Sequence, residues 1–270
     1  MKKTSNKTIL IILPIVLSLL FSCVKDAAFY NNRGITCYQK GQYDLAIAYY
    51  NGALDIDPRN DKAYNNRGVA YKNKGQYDQA ISDYNKALEI NPRYANAYYN
   101  RGVAYKNKGH YDQAISDFNK ALEINPRFAL AHYIRGDSYY ENGLYDQAIA
   151  DYNKALEINP RFAGAYNALA WLLATAKEPR IRDGEKALKL ALKACELTDW
   201  KNSHYLDTLA AAYARVDDYS NAIKWQKKAL ESPSIYKQYE AKERLNSYQQ
   251  HRPWPADKGL FKTFFPESFG

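Results

Sequence analysis

The chain has 270 residues, of which 46% are hydrophobic and 25% are charged, and its formal net charge is +9 at pH 7. This composition excludes a disordered chain, which combines low hydrophobicity with high net charge. The 38 lysines and arginines are spread among 29 acidic residues. We therefore expect no nucleic-acid binding, because a phosphate-binding surface needs clustered cations.

Residues 1–22 have the layout of a secretory signal peptide. Three lysines precede an almost wholly apolar run from Ile9 to Phe21. This run is shorter than the roughly 20 residues that a membrane-spanning helix needs. We predict that the chain is exported and that the leader is removed.

Residues 20–23 resemble the lipobox of bacterial lipoproteins, in which a cysteine takes a lipid and becomes the new N-terminus. The resemblance implies lipid attachment at Cys23, with residues 23–26 as a short linker. Val24 stands where an aspartate would resemble an inner-membrane retention signal, so an outer-membrane lipoprotein that faces the periplasm is favoured. The alternative is an ordinary cleaved signal peptide and a soluble periplasmic or secreted protein.

Residues 61–94 and 95–128 are two nearly identical copies of a 34-residue unit, since they differ at only six positions. A fixed period of this length predicts a repeat array, in which each unit buries its apolar face by stacking on its neighbours. Less exact copies extend the array in both directions. The predicted repeats are residues 27–60, 61–94, 95–128, 129–162, 163–202 and 203–232, and the fifth contains a loop insertion within residues 175–184.

Each repeat contains two apolar stripes at the spacing of buried helix faces. Counting residue 61 as position 1, small or aromatic residues occupy positions 4, 8 and 11 and then positions 20, 24 and 27. This three-and-four spacing predicts two amphipathic helices. Pro92 ends the second helix, because proline cannot continue the hydrogen-bond ladder. In the second repeat the six positions are held by Tyr64, Gly68, Tyr71, Ala80, Tyr84 and Ala87.

With Pro92 at position 32, this pattern resembles the tetratricopeptide repeat family. The resemblance implies an all-α fold, a right-handed α-solenoid of six helix-turn-helix repeats that acts as a protein-binding scaffold. We expect residues 235–250 to form a C-terminal capping helix on the last repeat. Residues 251–270 form an aromatic C-terminal tail, which either is mobile or folds back onto the array.

Arginine occupies position 7 of the first four repeats, where the family normally has an apolar residue. Aspartate occupies position 23 of repeats two to four, on the second helix facing the first. We predict a structural, bidentate ion pair within each of these repeats. The pairs are Arg67 with Asp83, Arg101 with Asp117, and Arg135 with Asp151, whereas Arg33 has Tyr49 at the aspartate position.

The sequence contains no pattern typical of catalysis or cofactor binding. The four histidines lie in different units without a cysteine or carboxylate at a metal-ligand spacing, and no glycine-rich phosphate loop is present. Nothing marks a nucleophile together with its base. We predict no enzyme activity, no metal and no cofactor, and we expect Cys37 and Cys195 to be core residues.

The family resemblance implies that the first helices line a concave groove, with ligand-facing side chains at positions 2, 5, 9, 12 and 13. Repeats three and four differ mostly in their first helices, so the shared scaffold varies mainly on that side. The predicted partner-binding residues are Lys62, Asn65, Lys72, Asn96, Tyr99, Lys106, Asn107, Leu130, Tyr133, Asp137, Tyr140, Glu141, Asn167 and Trp171.

The predicted groove is cationic at Lys72 and Lys106 and becomes aromatic toward Trp171, which suits an extended peptide or a helix with acidic and apolar residues. We therefore predict a non-enzymatic adaptor or assembly scaffold at the bacterial cell envelope, with a protein or peptide partner. Two alternatives stay open. One is a self-associating structural envelope protein, and the other is a glycan-binding or enzyme-accessory module that holds saccharides at Trp171 and the tyrosines.

Overall fold

A computed structural model describes residues 26–232 and 238–254. The predicted signal peptide, Cys23 with most of its linker, and residues 255–270 of the tail lie outside the described residues. The same holds for residues 233–237, where the predicted capping helix begins.

The described residues form thirteen α-helices and a 3-10 turn at Pro179–Ile181, with no strand among them. The helices are α1 (Ala27–Gln39), α2 (Tyr43–Ile56), α3 (Asp61–Asn73), α4 (Tyr77–Ile90), α5 (Ala95–Asn107), α6 (Tyr111–Ile124), α7 (Ala129–Glu141), α8 (Tyr145–Ile158), α9 (Ala163–Thr175), α10 (Gly184–Glu196), α11 (Ser203–Arg215), α12 (Tyr219–Leu230) and α13 (Gln238–Gln249).

Consecutive helices pack against each other in pairs, α1 with α2 and α3 with α4, and further along α7 with α8, α9 with α10, and α11 with α12. This arrangement confirms the predicted all-α helical solenoid. The described residues divide into two compact units, residues 26–100 and those from residue 101 onward, with the boundary inside α5.

In the first unit, glycine at position 8 lets the two helices of a repeat approach closely. A Cβ atom on Gly68 would lie 2.6 Å from the ring of Tyr84, which is fully buried. Gly75, between the two helices, is a glycine for a different reason. Gly75 has a φ of +74°, a left-handed conformation that glycine adopts without steric cost and that ends many helices.

The second unit contains an apolar core centred on α9. This helix has no charged residue, and it packs against α8, α10 and α11. Its side chains are therefore buried along almost its whole length. Leu169 and Leu172 of α9 and Leu209 of α11 are fully buried in one cluster.

The insertion in the fifth repeat is an ordered loop that returns to the core. Ile181, at the end of the 3-10 turn, is 6% exposed. Arg182 donates from Nε to the carbonyl of Ala176 at 2.5 Å, and from Nη2 to that of Lys177 at 2.8 Å. The Asp183 side chain then caps α10 by accepting a hydrogen bond from the Lys186 amide, which satisfies a donor that the helix itself cannot.

The C-terminal helix α13 packs on α12 and α11. It ends at Gln249, within the capping helix predicted over 235–250. Beyond it, His251 stacks on Tyr219 with ring centroids 5.1 Å apart. The Trp254 carbonyl accepts a hydrogen bond from Arg215 at 3.3 Å, so the described part of the predicted tail lies against the second unit.

Cys37 in the first unit and Cys195 in the second are both buried and carry free thiols. Among the described residues, no helix is long and apolar enough to span a membrane. Over the same residues, no group of histidine, cysteine and acidic side chains is arranged to hold a metal ion.

Candidate partner-binding face

We call the side chains at positions 2, 5, 6, 9, 12 and 13 of the first helices the first-helix face. In the first unit it carries a row of asparagines. Asn66 donates from Nδ2 to Asn31 Oδ1 at 3.0 Å, and Asn65 donates to Asn66 Oδ1 at 3.5 Å. Asn100 donates to Asn65 Oδ1 at 2.9 Å. The amide row therefore joins the first helices of three consecutive repeats.

The prediction from sequence included Asn65 but missed Asn31, Asn66 and Asn100 as members of this row. The signal was present, because asparagine recurs at positions 5 and 6 of successive first helices. Around the row, the other predicted residues of the first unit keep contact with solvent. Lys62 and Asn96 are exposed, whereas Lys72 and Tyr99 are half-buried.

In the second unit the first-helix face contains a buried carboxylate. Asp137 is 1% exposed, and its Oδ1 accepts a hydrogen bond from the hydroxyl of Tyr152 at 2.9 Å. The ammonium of Lys106 lies 3.7 Å from the other oxygen. Burial raises the pKa of Asp137 to about 6, since it outweighs the opposing effects of Lys106 and Tyr152, and the charge of Glu141 adds to the rise.

Aromatic rings surround this carboxylate, and most of their surface is covered. Tyr133 packs on Phe162 with ring centroids 4.8 Å apart and on Tyr152 at 6.1 Å. Burial raises the pKa of the Tyr140 hydroxyl, with the Trp171 indole beside it acting in the opposite direction. Trp171 itself is 1% exposed, and the guanidinium of Arg244 lies 5.7 Å from the centre of its ring.

The residues predicted to face a partner differ in their exposure to solvent. Tyr133 packs against Phe162, and Arg244 of α13 lies over the ring of Trp171. Trp171, on which the saccharide-binding alternative is centred, is almost fully buried. The predicted partner-binding residues that are buried are Asn65, Tyr133, Asp137, Asn167 and Trp171, whereas Lys106, Leu130, Tyr140 and Glu141 are half-buried and Asn107 is exposed.

The arginines at position 7 face the aspartates at position 23. Arg67 donates from Nε and Nη2 to the two oxygens of Asp83 at 2.8 and 2.6 Å. In the second unit, Arg101 contacts Asp117 in the same way at 2.8 and 2.7 Å. The matching distances from Arg135 to Asp151 are 2.6 and 2.7 Å.

Arg67 and Arg135 also bind the preceding repeat, a contact that was not predicted from the sequence. Arg67 donates from Nη1 to Asn51 at 2.7 Å, and Arg135 donates to Asn119 at 2.5 Å. Both asparagines occupy position 25 of their repeats. Arg33, whose repeat has Tyr49 instead of aspartate at position 23, lies 5.5 Å from the ring centre of Phe29, a cation–π geometry.

The end of the second unit is closed by a buried ion pair. Arg244 of α13 donates to both oxygens of Asp207 at 2.8 Å, and the two side chains are 1% and 0% exposed. Gln226 adds a hydrogen bond to the same carboxylate at 2.6 Å. Trp171 and Trp254 flank the guanidinium at 5.7 and 5.9 Å. No sequence pattern predicts this pair, because Asp207 and Arg244 lie in different helices and do not share a repeat period.

Stacked helix pairs with these small-residue contacts define an α-helical repeat scaffold. The model of the tetratricopeptide repeat matches residues 61–94, 95–128 and 129–162, and a second TPR repeat model matches residues 34–75. A crystal structure of MamA is 30% identical over 62% of this chain and 95% of that chain, with a TM-score of 0.55. The chain belongs to the tetratricopeptide repeat family, whose all-helical arrays typically serve protein interaction rather than catalysis.

Two further solved structures share the fold at lower identity. MamA from Desulfovibrio magneticus RS-1, residues 41 to the end, is 22% identical with a TM-score of 0.57, covering 65% of this chain and 96% of that chain. PilW, described as a widely conserved type IV pilus biogenesis factor, is 18% identical with a TM-score of 0.69, covering 80% of this chain and 98% of that chain. No curated protein sequence matches the chain.

Proposed function

We propose that this protein is a non-enzymatic adaptor that binds an extended segment of a partner protein along its first-helix face. The observation that carries the proposal is the row of asparagines across three first helices of the first unit. Each side-chain amide has two N–H donors and an acceptor oxygen. The bonds within the row leave further donor and acceptor capacity, which suits the alternating N–H and C=O groups of an extended backbone.

The charges beside the row indicate the partner's side chains. Lys62 and Lys72 lie on the same face at positions 2 and 12 of the second repeat, and both keep contact with solvent. Ammonium groups on this face attract carboxylates and raise the rate of encounter with an acidic segment. We therefore propose a partner segment with acidic residues opposite the first unit.

The N-terminal residues 1–23 support a proposal for where the protein acts. Its signal-peptide layout and the lipobox-like residues 20–23 support export and attachment through Cys23 at the outer membrane, facing the periplasm. In this arrangement the adaptor would hold a partner protein close to the cell envelope.

The proposal is tested by capturing partners from an envelope extract with the chain from Lys25 onward and with its Lys62→Glu, Lys72→Glu variant. We expect the parent chain to capture a partner that the variant loses. Lys86→Glu is the matched control, because Lys86 is exposed on the second helix of the same repeat. This control should capture the partner as the parent does.

Equal capture by the parent and the double variant would show that binding does not use the first-helix face of the first unit. If nothing is captured and the apparent molecular mass in solution rises with protein concentration, a self-associating structural role will explain the data better than an adaptor role. Circular dichroism of each variant verifies that the helices are intact.

A further inference from the structure

Position 3 of the first helix changes character in the first repeat, which no described repeat precedes. In later repeats this position is a fully buried alanine that packs on the repeat before. In the first unit, Ala63 packs with Leu54, and Ala97 packs with Leu88. The first repeat has Phe29 at this position, and the ring is only half-buried. A side chain this large suits a different neighbour from the repeats that pack on the alanines.

The second helix of the first repeat carries an apolar stripe. Leu45 and Ile56 are 47% and 50% exposed, and they lie with the half-buried Tyr49 along one stripe of α2. Asn51, which accepts a hydrogen bond from Arg67 of the next repeat, lies on another side of this helix. Repeats two to four have glutamine in place of Leu45 and aspartate in place of Tyr49. The first repeat is therefore more apolar than its copies on the side away from the next repeat.

Ring contacts join the two helices of the first repeat into one surface. The ring centre of Tyr30 on α1 lies 5.6 Å from that of Phe29 and 6.4 Å from that of Tyr49 on α2. We call Phe29, Tyr30, Leu45, Tyr49 and Ile56 the outer face. Terminal units of repeat arrays normally have a polar outer side. A contiguous apolar surface in this position is typical of an interaction site.

The outer face has one charge of each sign beside it. Asp26 and Arg33 are both exposed, and they lie two turns apart on the same side of α1, about 10 Å along the helix axis. The Asp26 side chain accepts the amide N–H of Phe29 at 2.7 Å. The Arg33 guanidinium lies 5.5 Å from the ring centre of Phe29, and it makes no hydrogen bond or ion pair with the described residues.

The equivalent arginines of other repeats indicate what Arg33 can bind. In the first unit, Arg67 donates from Nη1 to Asn51 of the repeat before at 2.7 Å. In the second, Arg135 makes the same contact with Asn119 at 2.5 Å. Arg33 occupies this position on the outer side of the first repeat. A molecule that covers the outer face should therefore combine apolar side chains with an oxygen acceptor for Arg33.

We propose that the outer face binds the outer face of a second copy of this chain in a two-fold dimer. A two-fold interface brings the same surface of both subunits together, so this surface must be complementary to itself. The outer face meets the condition, because Phe29 and Tyr30 lie between Asp26 and Arg33 on α1. When two α1 helices cross in opposite directions near Phe29, Arg33 of each copy meets the partner's Asp26. The aromatic rings then form an apolar centre with a charged rim.

The dimer goes beyond the proposed function and is compatible with it. The first-helix face lies on another side of α1, where Asn31 accepts a hydrogen bond from Asn66 of the next repeat. Dimer formation through the outer face leaves that asparagine row open to a partner. Two joined adaptors would present two first-helix faces, which strengthens the binding of a partner that carries two suitable segments.

Sedimentation velocity of the chain from Lys25 onward, over a range of concentrations, measures the dimer. Arg33→Asp and Asp26→Arg each place like charges at both ionic contacts of the interface. Leu45→Gln introduces the residue of repeats two to four and is therefore compatible with folding. Arg93→Asp reverses an exposed charge outside the first repeat and is the control. Circular dichroism verifies that the helices of each variant are intact.

We expect the parent to dimerise and each of Arg33→Asp, Asp26→Arg and Leu45→Gln to raise the dimer dissociation constant about tenfold or more. Arg93→Asp should dimerise as the parent does. An equimolar mixture of Arg33→Asp and Asp26→Arg should form a dimer again, because the two copies then carry opposite charges at both contacts. This mixture distinguishes the loss of the ionic contacts from the loss of the helix cap that Asp26 provides.

A parent that stays monomeric at every concentration, or a dimer that Arg33→Asp and Leu45→Gln leave unchanged, would overturn the proposal. A mixture that stays monomeric would do the same. A monomeric parent whose captured partner is lost by Leu45→Gln would assign the outer face to the partner protein instead. Arg33→Asp should still capture a partner through Lys62 and Lys72, so a failure of the dimer and a failure of the adaptor are separate results.

Discussion

The arginine at position 7 joins three parts of the array through one side chain. In the second repeat, Arg67 contacts Asp83 on the second helix of its own repeat and Asn51 on the second helix of the repeat before. The hydrogen bond to Asp83 raises the pKa of the Arg67 guanidinium. A planar fork with five donors suits this role, which an apolar residue or a lysine could not fill in the same way.

Replacing the carboxylate of one such pair should destabilise the array. Asp117→Asn removes the charge that Arg101 contacts with two hydrogen bonds, and leaves a largely buried guanidinium without its counter-ion. We expect a loss of about 1–3 kcal/mol in the free energy of unfolding, measured by urea denaturation. Glu123→Gln breaks an exposed i, i+3 pair and should change stability by about 0.5 kcal/mol or less. An unchanged denaturation midpoint for Asp117→Asn would contradict the structural role.

Asp137 should make stability depend on pH in a characteristic direction. Burial raises its folded-state pKa to about 6 from 3.8, so the folded chain binds this proton more tightly than the unfolded chain. Its contribution to stability is therefore complete below about pH 4 and is lost as the pH rises through about 6. Asp137→Val lacks this titration.

Compared with the parent, Asp137→Val should gain stability as the pH rises from 4 to 7.5, by up to about 3 kcal/mol. The measurement is urea unfolding of both chains across this range. Glu157→Gln, which changes an exposed carboxylate, should show no such trend. A constant difference between Asp137→Val and the parent would mean that Asp137 titrates alike in the folded and unfolded chains.

At the scale of elements, α13 is attached by a fully buried ion pair. Arg244→Met removes the guanidinium and leaves the buried carboxylate of Asp207 with its hydrogen bond from Gln226. Breaking such a pair costs about 3–5 kcal/mol, so we expect α13 to detach and the helix to become a protease site. Limited proteolysis with mass spectrometry measures this.

Two further variants distinguish the effect of losing the ion pair from the effect of losing a positive charge. Arg252→Met, which changes an exposed residue after α13, should leave proteolysis unchanged. Arg244→Met combined with Asp207→Leu should recover most of the resistance, because an apolar pair of similar volume replaces the buried charges. Equal proteolysis of the parent and Arg244→Met would show that apolar packing alone holds α13.

The elements themselves could be predicted because the 34-residue period constrains them. Gly68 and Tyr84 recur at fixed positions, and their contact sets the spacing of the two helices. The 34-residue period does not predict which side chains of the first-helix face are accessible to solvent. Trp171 occupies a position at which the family pattern predicts a ligand-contacting side chain. Its ring is nevertheless covered by neighbours that include Arg244. Exposure at such positions depends on side chains from other elements, which no local pattern encodes.

At the scale of the whole molecule, each unit links neighbouring repeats through an aspartate at position 18. In the first unit, Asp44 pairs with Lys74 of the next repeat. In the second, Asp112 accepts a hydrogen bond from Asn142 at 2.9 Å, and Asp146 pairs with Arg180 at 3.0 Å. In the regular repeats the partner of this aspartate is the residue at position 14 of the next repeat. In repeat five the partner is Arg180, which lies in the insertion, so the link between repeats is kept. Nearest-neighbour links of this kind allow single repeats to diverge while the array is maintained.

The attachment of the whole chain to a membrane is predicted to depend on a single sulfur atom. If Cys23 is acylated after removal of residues 1–22, the mature chain will fractionate with the outer membrane, and its N-terminal peptide will have the mass of a lipidated cysteine. Cys23→Ser should release the chain into the soluble periplasmic fraction. Cys37→Ser, which changes a buried thiol of the first unit, should leave the chain with the membrane. An unmodified N-terminal peptide and equal fractionation of the parent and Cys23→Ser would instead establish the ordinary cleaved signal, and the adaptor would act in solution.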